Sequence, residues 1–258
     1  MLSVKNVSKN FDGVHALDRC SFDVCDGEIL GLIGPNGSGK TTMFNAITSI
    51  YPIDRGKIIL DGEDITGTKT HEIADMGLSR TFQLIRLFPK LTVMDNMLIA
   101  QKYVHGEKLW PQLFKKRHVM NEEKEKIKKA KELLNIVNLG HKSDELAENL
   151  SYGQQKLLEI IRTLATEPKI LLLDEPIAGV NPTMTKEILN LIKSLNKKGM
   201  TIVIIEHNMN VMMNFCDRII VMDYGKEIAA GKPADIKKNR KVIEAYLGGR
   251  KSNIDEFK

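Results

Sequence analysis

The segment Gly34-Pro-Asn-Gly-Ser-Gly-Lys-Thr-Thr42 follows the apolar run Ile29–Ile33 and precedes a stretch of helical periodicity that continues through Ile50. Its glycines let successive backbone N–H groups converge on phosphate oxygens without interference from a Cβ atom. The N-terminus of the following helix adds partial positive charge, Lys40 can reach the β- and γ-phosphates, and the Thr41 hydroxyl can ligate Mg²⁺. The sequence therefore predicts a phosphate-binding loop between a buried strand and a helix.

A second element supplies the carboxylates that such a loop requires. The stretch Ile170-Leu-Leu-Leu-Asp174-Glu175 is a short apolar run that ends in two acidic residues. A buried strand would hold Asp174 rigidly near Mg²⁺, through a water molecule, while Glu175 points elsewhere and can polarise an attacking water. With the glycine loop, this pair indicates a nucleoside-triphosphate hydrolase, and the sequence lacks the Asn-Lys-x-Asp motif of a GTPase.

The segments around these motifs alternate between strand and helix patterns, which is typical of a parallel sheet covered on both faces. Short strand-like stretches contain Val4, Val7, Phe22 and Val24 near the N-terminus. Between 91 and 148, glycine and β-branched residues become scarce, and an amphipathic pattern at 121–139 predicts a helical subdomain inserted into the core. The other predicted strands are 57–60, 78–82, 170–173, 201–205 and 218–222, and the other predicted helices are 70–76, 182–198, 208–215 and 233–247.

Length and composition restrict the class of protein. The 258 residues are 42% hydrophobic and 28% charged, which excludes a disordered or fibrous chain. The longest apolar runs are far shorter than the ~20 residues of a membrane-spanning helix, so we expect a soluble, cytoplasmic chain. Cys20, Cys25 and Cys216 match neither a disulfide framework nor a metal site, so we expect three reduced thiols.

The positive charge is concentrated in one segment. The net charge is +5, and residues 102–131 contain ten Lys or Arg and four Glu, so the remaining residues sum to −1. This segment could be a solvated helix face, a patch that binds nucleic acid, or a surface that attracts anionic lipid headgroups. We favour the solvated face, because the lysines are interleaved with glutamates and few arginines or aromatics are present to read bases. No nucleic-acid partner is expected.

The stretch Leu150-Ser151-Tyr152-Gly153-Gln154-Gln155 distinguishes among the remaining hydrolases. It resembles the Leu-Ser-Gly-Gly-Gln signature of the ATP-binding cassette family. The resemblance implies that this segment of one subunit covers the γ-phosphate bound to the glycine loop of another, where a hydroxyl, a backbone N–H and a helix N-terminus clamp the anion. Tyr152 departs from the family pattern at the first glycine, and we expect the departure to be tolerated if the φ angle there is negative.

Other positions match the family in chain order. The resemblance implies that Phe11 stacks on the adenine ring, that Gln83 touches the Mg²⁺ and water site, and that His207 contacts the γ-phosphate. A core aromatic at Phe11 and solvated polar side chains at Gln83 and His207 are the alternatives. The stretch Ala178-Gly-Val-Asn181 stands where the family has a dimer-contact loop that usually ends in Asp, and Asn181 keeps the hydrogen-bonding capacity without the charge.

Further segments indicate which members of the family the chain resembles most. The segments Gly77-Leu-Ser-Arg-Thr-Phe-Gln83, Arg86-Leu-Phe-Pro89 and Val242-Ile-Glu-Ala-Tyr-Leu-Gly248 are similar to segments of the ATPases of branched-chain amino acid importers. The enlargement at 101–125 resembles the longer of the two ATPases that such importers employ. ATPases of urea uptake and of lipopolysaccharide export share many of these segments and remain alternatives, and so does a soluble cassette ATPase that acts on nucleic acid.

The resemblance implies an α/β fold of the P-loop NTPase (RecA-like) class, with a parallel-sheet core, an N-terminal antiparallel β subdomain and an inserted α-helical subdomain. We expect the core with the β subdomain and the loop at 1–90, the helical subdomain at 91–150, the signature helix and second half of the core at 151–232, and a helical tail at 233–258. ATP and Mg²⁺ are the expected cofactors. The residues expected to act in catalysis are Glu175, His207, Gln83 and Lys40, those expected at the metal are Thr41, Gln83 and Asp174, and those expected to bind the nucleotide are Phe11, Gly34, Pro35, Asn36, Gly37, Ser38, Gly39, Lys40, Thr41, Thr42, Ser151, Gly153 and Gln154.

The resemblance also implies partners and a location. We expect the chain at the cytoplasmic face of the cell membrane, attached to transmembrane permease subunits that receive solute from an extracytoplasmic binding protein. Two cassette ATPases would pair, as a heterodimer with a related second ATPase or as a homodimer. ATP binding would close the pair, because the γ-phosphate supplies contacts that ADP lacks, and hydrolysis would open it.

Overall fold

The computed structural model describes residues 2–82, 85–101 and 116–247, without the side chains of 116–120 and 247. These residues form two compact units. The first comprises Met1–Arg80, Lys169–Ala178 and Lys193–Lys258, and the second comprises Thr81–Pro168 and Gly179–Ile192. The predictions for Gln83, for part of the basic segment 102–131 and for the tail from 248 to 258 lie outside the described residues.

Within the described ranges, ten strands form two sheets, both in the first unit. The strands are β1 (Leu2–Phe11), β2 (Val14–Val24), β3 (Ile29–Ile33), β4 (Arg55–Leu60), β5 (Glu63–Asp64), β6 (Leu78–Arg80), β7 (Ile170–Asp174), β8 (Thr201–Ile205), β9 (Arg218–Asp223) and β10 (Lys226–Gly231). The six-stranded sheet has the order β10-β9-β3-β8-β7-β6 and is parallel except for β10. Every residue of β3, β7 and β8 is buried, as expected for a parallel sheet covered on both faces. The predicted parallel core is confirmed.

The four-stranded sheet has the order β2-β1-β4-β5 and is antiparallel. Its buried face pairs Leu2 with Val24 and Val4 with Phe22 across β1 and β2. Val4 belongs to the same buried cluster as Leu32 of β3, so this sheet shares its core with the strand that leads into the glycine loop. The predicted N-terminal antiparallel subdomain is confirmed.

The helices of the described residues are divided between the two units. They are α1 (Lys40–Ile47), α2 (Thr70–Asp75), α3 (Val93–Ile99), α4 (Lys116–Ile136), α5 (Tyr152–Leu164), α6 (Pro182–Lys197), α7 (Met209–Phe215), α8 (Pro233–Ile236) and α9 (Arg240–Leu247), with short 3₁₀ turns at Gly140–Lys142 and Ala147–Asn149. In the second unit, α4 contacts α3 and α5 and buries Ala130 and Leu134. A search of the described helices finds none that combines the length and the apolar character of a membrane span.

Three of the differences between predicted and observed helix boundaries have a local cause in the structure. Helix α1 ends at Ile47 rather than Ile50, because Ser49 takes a left-handed conformation with φ of 54°. The long helix predicted to reach 139 ends at Ile136, before the left-handed Asn138 with φ of 55°. The predicted single helix at 233–247 is two helices, and the Asn239 side chain accepts a hydrogen bond from the Lys241 N–H at 3.0 Å at the start of the second.

Candidate nucleotide-binding site

The glycine loop connects β3 to α1 in a conformation that only glycine tolerates without strain. Gly34, Gly37 and Gly39 have φ of 153°, 80° and 102°. A Cβ atom on Gly34 would lie 2.1 Å from the Met222 carbonyl oxygen, and one on Gly39 would lie 2.5 Å from the Ala16 carbonyl oxygen. A Cβ atom on Gly37 would meet nothing within 4 Å. The backbone is therefore packed at the two ends of the loop and open at Gly37, where a phosphate could approach.

Lys40 is the first residue of α1, and its ammonium group lies inside the loop. Its Nζ donates to the carbonyl oxygens of Gly34 at 2.8 Å and Pro35 at 2.9 Å. Burial lowers the pKa of Lys40 to about 8, and the charges of Glu175 and Asp174 oppose that effect. Phosphate oxygens would give this buried ammonium an anionic partner in place of neutral carbonyl groups.

Asp174 ends β7 at the carboxyl edge of the parallel sheet, with its carboxylate buried. Its Oδ2 accepts a hydrogen bond from Arg80 Nη2 at 2.8 Å. No sequence pattern predicts a role for Arg80, which stands three residues before Gln83, within the predicted strand 78–82. Its pairing with Asp174 depends on β6 lying beside β7, a neighbourhood that no local pattern encodes.

Glu175 and His207 form a hydrogen-bonded pair in the first unit. His207 Nε2 and Glu175 Oε1 lie 2.7 Å apart. Glu175 has φ of 50° and donates its N–H to the Ile205 carbonyl oxygen at 2.9 Å. The left-handed backbone at Glu175 interrupts the alternation of β7 and turns its side chain toward the end of β8. A carboxylate beside an imidazole can accept a proton from water and share it with the ring.

Phe11 lies at the end of β1 and is 38% exposed. Its ring packs edge-to-face against Tyr51, with centroids 5.4 Å apart and planes at 78°, and Lys9 Nζ lies 5.2 Å from its centroid. A partly exposed aromatic ring that is held by its neighbours can stack with a flat aromatic ligand. No sequence pattern predicts a role for Tyr51, because its proximity to Phe11 comes from the tertiary fold.

The other loop residues with polar side chains differ in exposure, and Ser38 is buried. Thr41 and Asn36 are exposed and Thr42 is partly buried. No group of three or more His, Cys, Asp or Glu side chains that could hold a metal occurs in the part of the chain that the structure describes. A divalent ion at Thr41 and Asp174 would therefore complete its coordination with water and phosphate oxygens, as Mg²⁺ commonly does.

The signature segment belongs to the second unit and begins α5 with reciprocal caps. Ser151 Oγ accepts from the Gln154 N–H at 3.4 Å, and Gln154 Oε1 accepts from the Ser151 N–H at 3.1 Å. Tyr152 has a negative φ, which meets the condition for tolerating this departure from the family pattern. A Cβ atom on Gly153 would lie 2.3 Å from Met184 Cγ, so glycine is needed there for packing.

Asn181 caps α6 in the second unit. Its Oδ1 accepts from the Met184 N–H at 2.9 Å, and its carbonyl oxygen accepts from Thr185 Oγ1 at 3.1 Å. A Cβ atom on the preceding Gly179 would lie 3.3 Å from the Tyr152 ring. The signature segment and the segment that ends at Asn181 are thus in contact within this unit.

Among the predicted site residues, the first unit contains Phe11, the loop, Asp174, Glu175 and His207. It brings Lys40, Asp174, Glu175 and His207 together. The second unit contains Ser151, Gly153 and Gln154. Gln83 lies outside the described residues.

Comparison with protein families gives two matches. Residues 17–178 match the family described as "ABC transporter", and residues 226–252 match the family described as "Branched-chain amino acid ATP-binding cassette transporter". The chain is 42% identical over 255 residues to the probable branched-chain amino acid transport ATP-binding protein LivG of Archaeoglobus fulgidus, covering 99% of this chain and 98% of that protein. It is 41% identical to the high-affinity branched-chain amino acid transport ATP-binding protein LivG of Escherichia coli (strain K12), covering 96% and 98%.

Solved structures give the same family. A nucleotide-free ATP-binding cassette from an ABC transporter has a TM-score of 0.84 at 38% identity, covering 96% of this chain and 99% of that one. A cassette in its ADP conformation has a TM-score of 0.83 at 38% identity, covering 96% and 98%. A dimeric cassette in a post-hydrolysis state, bound to ADP and Pi, has a TM-score of 0.74 at 29% identity, covering 90% and 99%.

Proposed function

Since the chain belongs to the ABC transporter family and is an ATPase of that family, we propose that it powers the import of branched-chain amino acids across a membrane. The observation that carries this proposal is identity of 41–42% over nearly the whole chain to two LivG proteins. The match of residues 226–252 to a branched-chain amino acid cassette family supports the same solute class and favours it over urea uptake and lipopolysaccharide export.

The loop and Lys40 would bind the triphosphate of ATP. The open backbone at Gly37 provides access, and the buried ammonium of Lys40 would exchange carbonyl oxygens for phosphate oxygens. Phe11 would stack on the adenine ring, since its ring is partly exposed and packs against Tyr51. Pro35, Asn36, Ser38, Gly39 and Thr42 complete the proposed contacts.

Mg²⁺ fits the donors that the chain presents. Thr41 offers an exposed hydroxyl and Asp174 a buried carboxylate, both of which are oxygen ligands of the kind that Mg²⁺ prefers. Gln83 would provide a third protein contact. When bound, Mg²⁺ neutralises the charge that develops on the phosphates.

Glu175 is the proposed general base, and His207 is its partner. The 2.7 Å contact between them holds the carboxylate in one orientation, so that it can accept a proton from the attacking water. His207 would also donate a hydrogen bond to the γ-phosphate. Lys40 would stabilise the charge on the transferred group.

A second cassette would complete each site. We propose that Ser151, Gly153 and Gln154 of one subunit cover the γ-phosphate held by the loop of another, and the dimeric cassette bound to ADP and Pi supports such pairing. The partner would be a related second ATPase, with a homodimer as the form available in isolation. Permease subunits at the cytoplasmic face of the membrane, supplied by an extracytoplasmic binding protein, would use the closure and opening of this pair.

Uptake measurements test the solute. The gene is deleted in its host and replaced with the unmodified gene or with Glu175→Gln, and uptake of labelled leucine and labelled urea is compared. We expect deletion and Glu175→Gln to abolish high-affinity leucine uptake and to leave urea uptake unchanged. Loss of urea uptake with normal leucine uptake would contradict the proposal.

A further inference from the structure

Arg80 forms a buried ion pair with the acid proposed as a magnesium ligand. Its Nη2 lies 2.8 Å from Asp174 Oδ2, and the two side chains are 4% and 2% exposed. Burying two charges costs desolvation free energy, and such pairs are often no more stabilising than apolar residues of similar volume. A buried pair at this position therefore suggests a role beyond stability.

Arg80 also holds the helix that begins at the glycine loop. Its Nη1 donates to Asn45 Oδ1 at 2.7 Å, and its guanidinium carbon lies 5.3 Å from the centroid of the Phe44 ring. Asn45 and Phe44 are on α1, Asp174 ends β7, and Arg80 ends β6. The Arg80 side chain thus connects β6 to β7, which ends at the proposed ligand Asp174, and to α1, which carries the proposed ligand Thr41.

Only an arginine can make this set of contacts. The planar guanidinium directs fixed N–H groups toward two acceptors at once, whereas the ammonium group of a lysine is a single point on a flexible stem. Because Arg80 Nη2 donates a hydrogen bond to Oδ2, it restricts rotation of the Asp174 carboxylate. The bond to Asn45 fixes the distance between that carboxylate and α1, which carries Thr41.

We propose that Arg80 is a positioning residue, which holds Asp174 and α1 in the arrangement that receives Mg²⁺ with the nucleotide. This inference rests on the magnesium site proposed above. Groups that orient a metal ligand from outside the coordination sphere commonly change metal affinity when they are replaced, by about 10- to 100-fold.

The same unit contains a matched control. Arg218 Nη2 lies 2.7 Å from Glu28 Oε1, and Arg218 begins β9, at the amino edge of the parallel sheet. Asp174 lies at the opposite, carboxyl edge. The Arg218–Glu28 pair is less buried than the Arg80–Asp174 pair, but its N–O distance is similar. Replacing Arg218 therefore removes an arginine–carboxylate pair from the same unit without touching the proposed ligands.

The experiment measures binding of a fluorescent, non-hydrolysable ATP analogue by the full chain, in EDTA and at increasing Mg²⁺. The variants are Arg80→Gln, Arg80→Lys and Arg218→Gln, and Asp174→Asn defines complete loss of the Mg²⁺ effect. We expect Arg80→Gln to need about 10- to 100-fold more Mg²⁺ for half of the enhancement, with affinity in EDTA unchanged. Arg80→Lys should need a Mg²⁺ concentration between those of Arg80→Gln and the unmodified chain. Arg218→Gln should need the same Mg²⁺ concentration as the unmodified chain.

An unchanged Mg²⁺ midpoint in Arg80→Gln would overturn the inference, even if its melting temperature falls. If Arg80→Gln does not fold, the comparison of Arg80→Lys with Arg218→Lys decides: an equal midpoint in the two overturns the inference, and a higher midpoint in Arg80→Lys supports it. Failure of the proposed function has a different signature. In that case the unmodified chain itself would bind no analogue, or would bind it without any effect of Mg²⁺.

Discussion

Glu175 shows how a single backbone angle can prepare a reactive side chain. Its left-handed φ of 50° costs a residue with a Cβ atom roughly 1 kcal/mol. The hydrogen bond from its N–H to Ile205 and the side-chain contact with His207 offset that cost. The proposed base is thus held in place by the end of the neighbouring strand β8.

Alanine substitutions distinguish loop glycines that are closely packed from those that border open space. Gly37→Ala and Gly62→Ala introduce a Cβ into open space at φ of 80° and 88°, so each should lower the free energy of unfolding by about 1 kcal/mol. Gly34→Ala should lower it by about 1–3 kcal/mol more, because its Cβ would meet the Met222 carbonyl oxygen. Urea denaturation measures these differences.

The same variants test the location of the phosphates. Gly37→Ala should weaken nucleotide binding, whereas its control Gly62→Ala should leave it unchanged. Equal nucleotide affinity in the two variants would argue against phosphate contact at Gly37.

The three thiols should react at different rates. Burial raises the pKa of Cys20 to about 11 and that of Cys216 to about 12, so near neutral pH both remain protonated and shielded, whereas Cys25 is exposed. Because the thiolate is the nucleophile, an aromatic disulfide reagent should label one thiol rapidly in the folded chain. All three should react in urea, and Cys25→Ser should remove the rapid phase. Two rapid thiols in the folded chain would contradict the described burial.

At the scale of the secondary-structure element, two helix N-termini are capped by side chains of the proposed subunit interface. Ser151 and Asn181, whose side chains we expect to act between subunits, each also cap their own helix. A side chain that caps a helix is oriented by the cap, so its carbonyl or hydroxyl group already has a fixed direction. The signature segment and the segment ending at Asn181 are therefore ordered within one chain.

The cap at Asn181 gives a direct test. Asn181→Ala removes the acceptor of the Met184 N–H and should lower the free energy of unfolding by about 1 kcal/mol, whereas Asn181→Asp should change it by only a few tenths. The two urea midpoints measure this. If Asn181→Asp destabilised the chain as much as Asn181→Ala, the Oδ1 contact would not be the source of stability.

At the scale of the whole molecule, the sequence predicts what depends on local pattern. The glycine spacing and the apolar runs predict the loop, the strand that ends at Asp174 and the parallel sheet, because each of these patterns lies within a short stretch of consecutive residues. The contacts of Arg80 with Asp174 and of Phe11 with Tyr51 join residues that are distant in sequence. Such pairs follow from strand order and packing, which no single segment specifies.

The helix boundaries show the same limit on a smaller scale. The periodicity of α1 continues past Ile47, yet Ser49 turns left-handed and ends it. Nothing in the hydrophobic pattern distinguishes that serine from the residues before it. The break between α8 and α9 likewise depends on a cap at Asn239.

The central claim is that ATP is held between two cassettes and that its hydrolysis releases them. The most direct measurement is gel filtration of Glu175→Gln with ATP and Mg²⁺, together with its rate of hydrolysis. We predict a stable ATP-dependent dimer with near-zero turnover, while the unmodified chain and the exposed control Glu167→Gln hydrolyse ATP and return to monomers. A Glu175→Gln chain that stays monomeric with ATP and hydrolyses it at the unmodified rate would contradict the claim.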